Sequence, residues 1–151
     1  MDEVAVNFGV HGGRNYLIMV DRASGYVFCK ETKQQTTADT IKVLDGWFYA
    51  HGKPRTLRAD DGPLFRKGFC EYLEKKGIQR QTSAAYNSQS NGLVERAVQK
   101  CKAILKHCAM YKEDWKQAMA EMQTMPSRQL NGACPAEVFL RRMPRGMLPT
   151  L

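Results

Sequence analysis

VAVNFGVHGGRNYLIMVDRASGYVFCK, residues 4–30, is the stretch on which the fold class turns. Residues 4–8 are β-prone, and Gly12-Gly13 marks a turn. Residues 14–20 and 25–30 are rich in β-branched and aromatic side chains. Three strands joined by short turns predict an antiparallel meander. Outward from it the period changes. Thr36 or Thr37 can cap a helix whose apolar stripe is Ile41, Leu44, Trp47 and Phe48, with Gly52 and Pro54 as its stop. Residues 55–59 read as a strand, 68–76 as a helix stopped by Gly77, and 78–82 as a fifth strand. A strand that follows a helix can join a sheet in parallel. Beyond a polar loop at 83–91, a long helix is expected to about Cys108, a shorter one over 115–122, and a last one opened by Pro135 and running to about Arg141. The expected architecture is α/β: a five-stranded mixed sheet, three antiparallel strands then two parallel, flanked by helices.

Composition narrows the function classes. With 151 residues the chain is long enough for one core without disulfide or metal staples. Hydrophobic residues at 43% exclude a disordered bulk. The longest aliphatic run, residues 17–20, is far too short to cross a bilayer, and the acidic start at Asp2 and Glu3 does not resemble a signal peptide. The net charge of +8 favours a polyanionic partner, nucleic acid before membrane. Five cysteines, an odd number without C-x-x-C spacing, fit a reduced intracellular protein. Cys101, His107 and Cys108 have a superficial metal-ligand look, but Cys101 and Cys108 fall on the apolar face of the long helix.

Chemistry concentrates around two carboxylates. Asp60 falls at the end of the fourth strand, where α/β sheets bind ligands, and Glu95 near the start of the long helix. Such a pair can share a hard divalent cation. On spacing alone, a turn aspartate beside Gly62 and a helix N-terminal charge are the favoured readings. From Glu95, residues Gln99, Lys102 and Lys106 follow at i+4, i+7 and i+11, one polar stripe suited to a nucleic-acid strand. Val94, Ala97, Cys101, Ile104, Leu105 and Cys108 form the apolar face. Lys42, Lys53, Arg55 and Arg58 can extend a DNA path, and Trp115 and Met119 read as core or dimer interface.

ADDGPLF (59–65), Gly77-Ile78 and AYNSQSNGLVER (85–96) together resemble the integrase catalytic core of retroviruses and gypsy-type long-terminal-repeat retrotransposons. VDRASGY (20–26) and GACPAEVFLRRMPR (132–145) extend the likeness over nearly the whole chain. The resemblance implies a ribonuclease H-like fold, a dimer, and an Asp, Asp, Glu triad holding two Mg²⁺ or Mn²⁺ ions. It also implies nicking of DNA ends and their joining to target DNA. Asp60 matches the second acid and Glu95 the third, 35 positions apart, one fewer than the family's usual spacing. Asn87, Gln89, Asn91 and Lys102 match positions that contact viral DNA in relatives.

The departure is at the first acid, where this chain has Asn7 before Phe8. Asp2 is five residues away and points to the opposite face of the strand. Asp21 pairs near the start of strand one, roughly 10 Å or more from Asn7 at about 3.3 Å per residue. Asp61 points away if its strand continues. Metal affinity and rate should therefore fall steeply. Two readings stand. One is a disabled core that binds nucleic acid or host proteins and dimerises; the other is a working metal-dependent integrase in which Asn7 is an engineered change or the first acid lies elsewhere. The expected organisation is a core over residues 1–142 and a trailing segment over 143–151, cut from a longer nuclear protein without a membrane span.

Overall fold

The computed structural model describes residues 1–59, 62, 65, 67–81 and 92–145. Its elements are β1 (Glu3–His11), β2 (Arg14–Asp21), β3 (Val27–Thr32), α1 (Thr37–His51), β4 (Thr56–Arg58), α2 (Lys67–Lys76), β5 (Gln79–Gln81), α3 (Gly92–Tyr111), α4 (Trp115–Gln123) and α5 (Pro135–Leu140). Among the described residues, one sheet runs in the order β3-β2-β1-β4-β5. β1 pairs antiparallel with β2 and parallel with β4, so it lies at the centre.

Alternation along β1 sorts its side chains between two cores. Val4 and Val6 face Leu44, Phe48, Phe69 and Leu73 of α1 and α2. Ala5 faces the other way, toward Val94, Ala97, Cys101 and Leu105 of α3. The run Leu17 to Val20 on β2 is buried throughout because helices cover both faces of the sheet. The β1–β2 hairpin closes through Gly12 and Gly13, both at positive φ, as the expected Gly-Gly turn requires. A Cβ on Gly12 would stand 2.9 Å from that of Ala109, so the hairpin tip rests directly on α3.

Thr36, not Thr37, caps α1, accepting from the Asp39 N–H at 3.1 Å. Gly52 ends it at φ 88°. β3 begins at Val27 rather than at residue 25. The Asp21 N–H donates to the Tyr26 carbonyl and the Asp21 carboxylate accepts from Ser24, which folds residues 21–26 into a closed turn. β5 is shorter than expected at its start. The Ile78 N–H is taken by the Leu73 carbonyl at the end of α2. Thr82 lies outside the described residues.

α5 ends at Leu140, with Arg141 in a left-handed conformation just past it. Phe139 stacks on Tyr26 at 4.6 Å and meets Phe28 edge-on at 5.5 Å, so α5 is packed onto the β3 end of the sheet. Residues 146–151 of the trailing segment lie outside the described residues. Trp115 sits edge-on to Tyr16 at 5.5 Å and Met119 is buried, which makes both part of this chain's own core.

Gln123, at the end of α4, ties the outermost strand down. Its amide nitrogen donates to the Val27 carbonyl and its oxygen accepts from the Val27 N–H at 3.2 Å. Gln123→Leu should strand both backbone groups in a buried setting and cost about 2–4 kcal/mol. The check is the urea midpoint: a shift no larger than that of Gln117→Leu, on the exposed side of the same helix, would refute it.

The candidate acidic cleft and nucleic-acid interface

Asn7 stands in mid-β1, opposite Ile18. It shares Ala5's strand face and so points toward α3. Glu95 lies exposed in the first turn of α3, and Gln99 follows one turn later. A cleft of about 230 Å³ is lined by Asn7, Arg58, Ala59, Glu95 and Gln99 together with apolar Val94 and Val98. The structure thus joins the position of the first matched acid to that of the third. β4 ends at Arg58, two residues before Asp60 in sequence. Asp60, Asn87, Gln89 and Asn91 all lie outside the described residues.

Lys102 reaches the same place. It is half-buried on α3 between buried Cys101 and Leu105, and its Nζ donates to Asn7 Oδ1 at 3.3 Å. Lys106 follows one turn later and is exposed. Near these lysines, at the end of β1, sits His11, which the sequence reading did not single out. Burial first, then the charges of Lys102 and Lys106, hold its imidazole below the ordinary histidine value. Its Nε2 is buried without a hydrogen-bond partner among the described residues. The signal for His11 was parity, since it lies four residues after Asn7 on one strand face.

Of the substitute acids, Asp61 lies outside the described residues, and the other two are engaged or misplaced. Asp21 pairs with Val4, three residues from Asn7, and its buried carboxylate serves the 21–26 turn. Asp2 precedes β1 and is exposed. Cys101 is buried beside Cys29, whose thiol hydrogen bond, with burial, pushes the Cys101 thiol far above its ordinary value. His107 pairs with Glu113 at 3.7 Å. No group of three or more His, Cys, Asp or Glu among the described residues is placed to hold a metal. Lys53 donates to the Lys76 carbonyl at 2.8 Å, finishing α2, whereas Lys42 and Arg55 are exposed. No described helix is long and apolar enough to cross a membrane.

Comparison with known proteins bears on the family and the fold. The family model described as "Integrase core domain" matches residues 1–88. The uncharacterized protein K02A2.6 of Caenorhabditis elegans is 30% identical over 148 residues, covering 95% of this chain and 12% of its own length. The Pol polyprotein of Radiation murine leukemia virus (strain Kaplan) is 36% identical over 98 residues, 64% of this chain and 17% of that one. The chain therefore spans a small fraction of the curated relatives it matches. Among solved structures, the catalytic core domain of BIV integrase superposes with a TM-score of 0.76 at 22% identity, covering 92% of this chain and 93% of that one. The five-stranded mixed sheet is thus the ribonuclease H-like sheet of integrase cores.

Integrase core domains generally use divalent metals. The described residues here do not form a donor set for two of them. Glu95 is the one described carboxylate lining the cleft, and the Asn7 oxygen is neutral and already takes a hydrogen bond from an ammonium. Hard divalent cations need several anionic oxygens, and a lysine at the ligand repels them.

Proposed function

Because the chain belongs to the integrase core domain family, we propose that it is a retroelement-derived core with its catalytic centre disabled at Asn7. In this reading it acts in the nucleus as a nucleic-acid-binding scaffold that pairs with a second copy of itself or with host proteins. The observation that carries the reading is Asn7 in the middle of the central strand, its oxygen held by Lys102. An amide there removes a full negative charge and a bridging oxygen from a site whose chemistry is charge stabilisation and positioning. The rest of the interface supports binding. Gln99, Lys102 and Lys106 run along one side of α3, and the net charge is +8. Asn87, Gln89 and Asn91 belong to the same interface by their match to the family motif. Tyr49, Met110, Tyr111 and Met125 are exposed apolar side chains open to self-association.

Nicking and strand-joining of labelled DNA in Mg²⁺ and in Mn²⁺ tests the proposal. The unmodified chain and Glu95→Gln should both stay at background while DNA is still bound. Activity of the unmodified chain that disappears in Glu95→Gln would establish a working integrase instead.

A further inference from the structure

We propose that Cys29 and Cys101 are a reversible thiol–disulfide pair, which a peroxide oxidant closes into a bond that staples α3 to the outermost strand β3. Asn7 pairs with Ile18 and Ile18 with Cys29, so the three form one row across the sheet, on the face that α3 covers. Consecutive residues of α3 meet the two ends of that row. Lys102 reaches Asn7 at 3.3 Å, which fixes how α3 is turned over the strands. Cys101, fully buried, packs in the same apolar cluster as Cys29, and the two thiols share a hydrogen bond. Neither residue lines the acidic cleft. The other three sulfurs are engaged elsewhere. Cys70 accepts from Arg80 at 2.9 Å, Cys134 accepts from the Glu137 N–H at 3.4 Å, and Cys108 lines a separate cavity with Trp115.

The two thiols divide the chemistry by exposure. Cys29 is half-buried and meets a small oxidant first. The hydrogen bond to Cys29, with burial, pushes the Cys101 thiol far above its ordinary value, so Cys101 keeps its proton until the second step. The Cys29 thiolate attacks one oxygen of hydrogen peroxide and the O–O bond breaks. The departing hydroxide takes up the proton that Cys29 released and leaves as water. The Cys101 sulfur then attacks the sulfur of the Cys29 sulfenic acid. The S–O bond breaks, and the leaving hydroxide carries off the Cys101 proton as a second water. Two thiols have given up two electrons, and one peroxide has become two waters. The sulfurs close from hydrogen-bond contact to about 2.05 Å. The bond joins positions 72 residues apart, so it constrains a long stretch of the unfolded chain. A dithiol reductant reverses it by exchange.

Treatment of the reduced, folded chain with a slight excess of hydrogen peroxide tests the pair. Remaining thiols are then blocked with N-ethylmaleimide, and tryptic peptides are mapped without reduction. Peptide 23–30 should be linked to peptide 101–102 as the main disulfide, and dithiothreitol should release both. The oxidised chain should have a urea midpoint higher by about 1 M, and dithiothreitol should return it to the starting value. Cys29→Ser should lose both the link and the shift, whereas Cys70→Ser should keep both. If Cys29→Ser proves too unstable to purify, the peptide map and the midpoint of the unmodified chain decide the matter alone. Recovery of peptide 23–30 as an unlinked sulfinic acid would overturn the proposal. So would its linkage to a peptide carrying Cys70, Cys108 or Cys134, or an oxidised midpoint no higher than the reduced one.

Discussion

Asn7→Asp is expected to lift Mn²⁺-dependent nicking of labelled DNA from background to at least about a hundredfold above the unmodified chain. The backbone needs no change for this. Asn7 already points at the cleft that Glu95 lines, and aspartate has nearly the same shape. What changes is one unit of charge and a second anionic oxygen, in a reaction whose acceleration comes from holding and neutralising charge. Lys102 would pair with the new carboxylate, so the gain should remain below that of a centre whose acids face no competing ammonium. Asn7→Asp/Glu95→Gln is the control and should return to background. Silence of Asn7→Asp with DNA binding intact would place the loss in more than one group of the centre.

The second large effect is on stability. Phe69→Ala should cost about 3–5 kcal/mol, read as a lower urea midpoint with an unchanged slope. Phe69 is fully buried on α2, edge-on to Phe65 at 5.1 Å and close to Tyr72 at 6.2 Å. It packs in the cluster formed by Val4, Val6, Leu17 and Leu57, so the cavity would open beneath the central strands. Rings fixed on several sides collapse poorly into such a space. Tyr49→Ala, at a side chain 79% exposed, should stay within about 0.5 kcal/mol. A Phe69→Ala loss of similar size to that of Tyr49→Ala would mean that α2 contributes little to the folded core.

The sheet was legible because local signals agreed with the tertiary result. Gly12-Gly13 could only be a tight turn, and Gly52 and Gly77 ended helices where the apolar period ended. The start of β3 was misjudged because a buried aspartate and serine organise the preceding turn, and propensity does not see side-chain hydrogen bonds. The place of Asn7 followed from the family motif, and its half-buried position beside Lys102 is a feature that motif does not give. The Lys102 contact itself was not legible. A lysine at i+7 from Glu95 reads as a surface charge until a strand 95 residues away is laid against the helix. Gln123 was invisible for the same reason, since an amphipathic pattern cannot distinguish a buried glutamine with two backbone partners from a solvated one.

The Gln123 clasp also bears on the exposed edge of the sheet. β3 is the outermost strand on its side of the sheet, and outermost strands invite a foreign strand to continue the ladder. At Val27 both rungs are already filled by a side chain of the same molecule. Sheet-to-sheet growth across this end is obstructed at its first rung. A foreign strand would first have to displace Gln123, so accidental polymerisation through the sheet is discouraged without any charged or proline guard at that position.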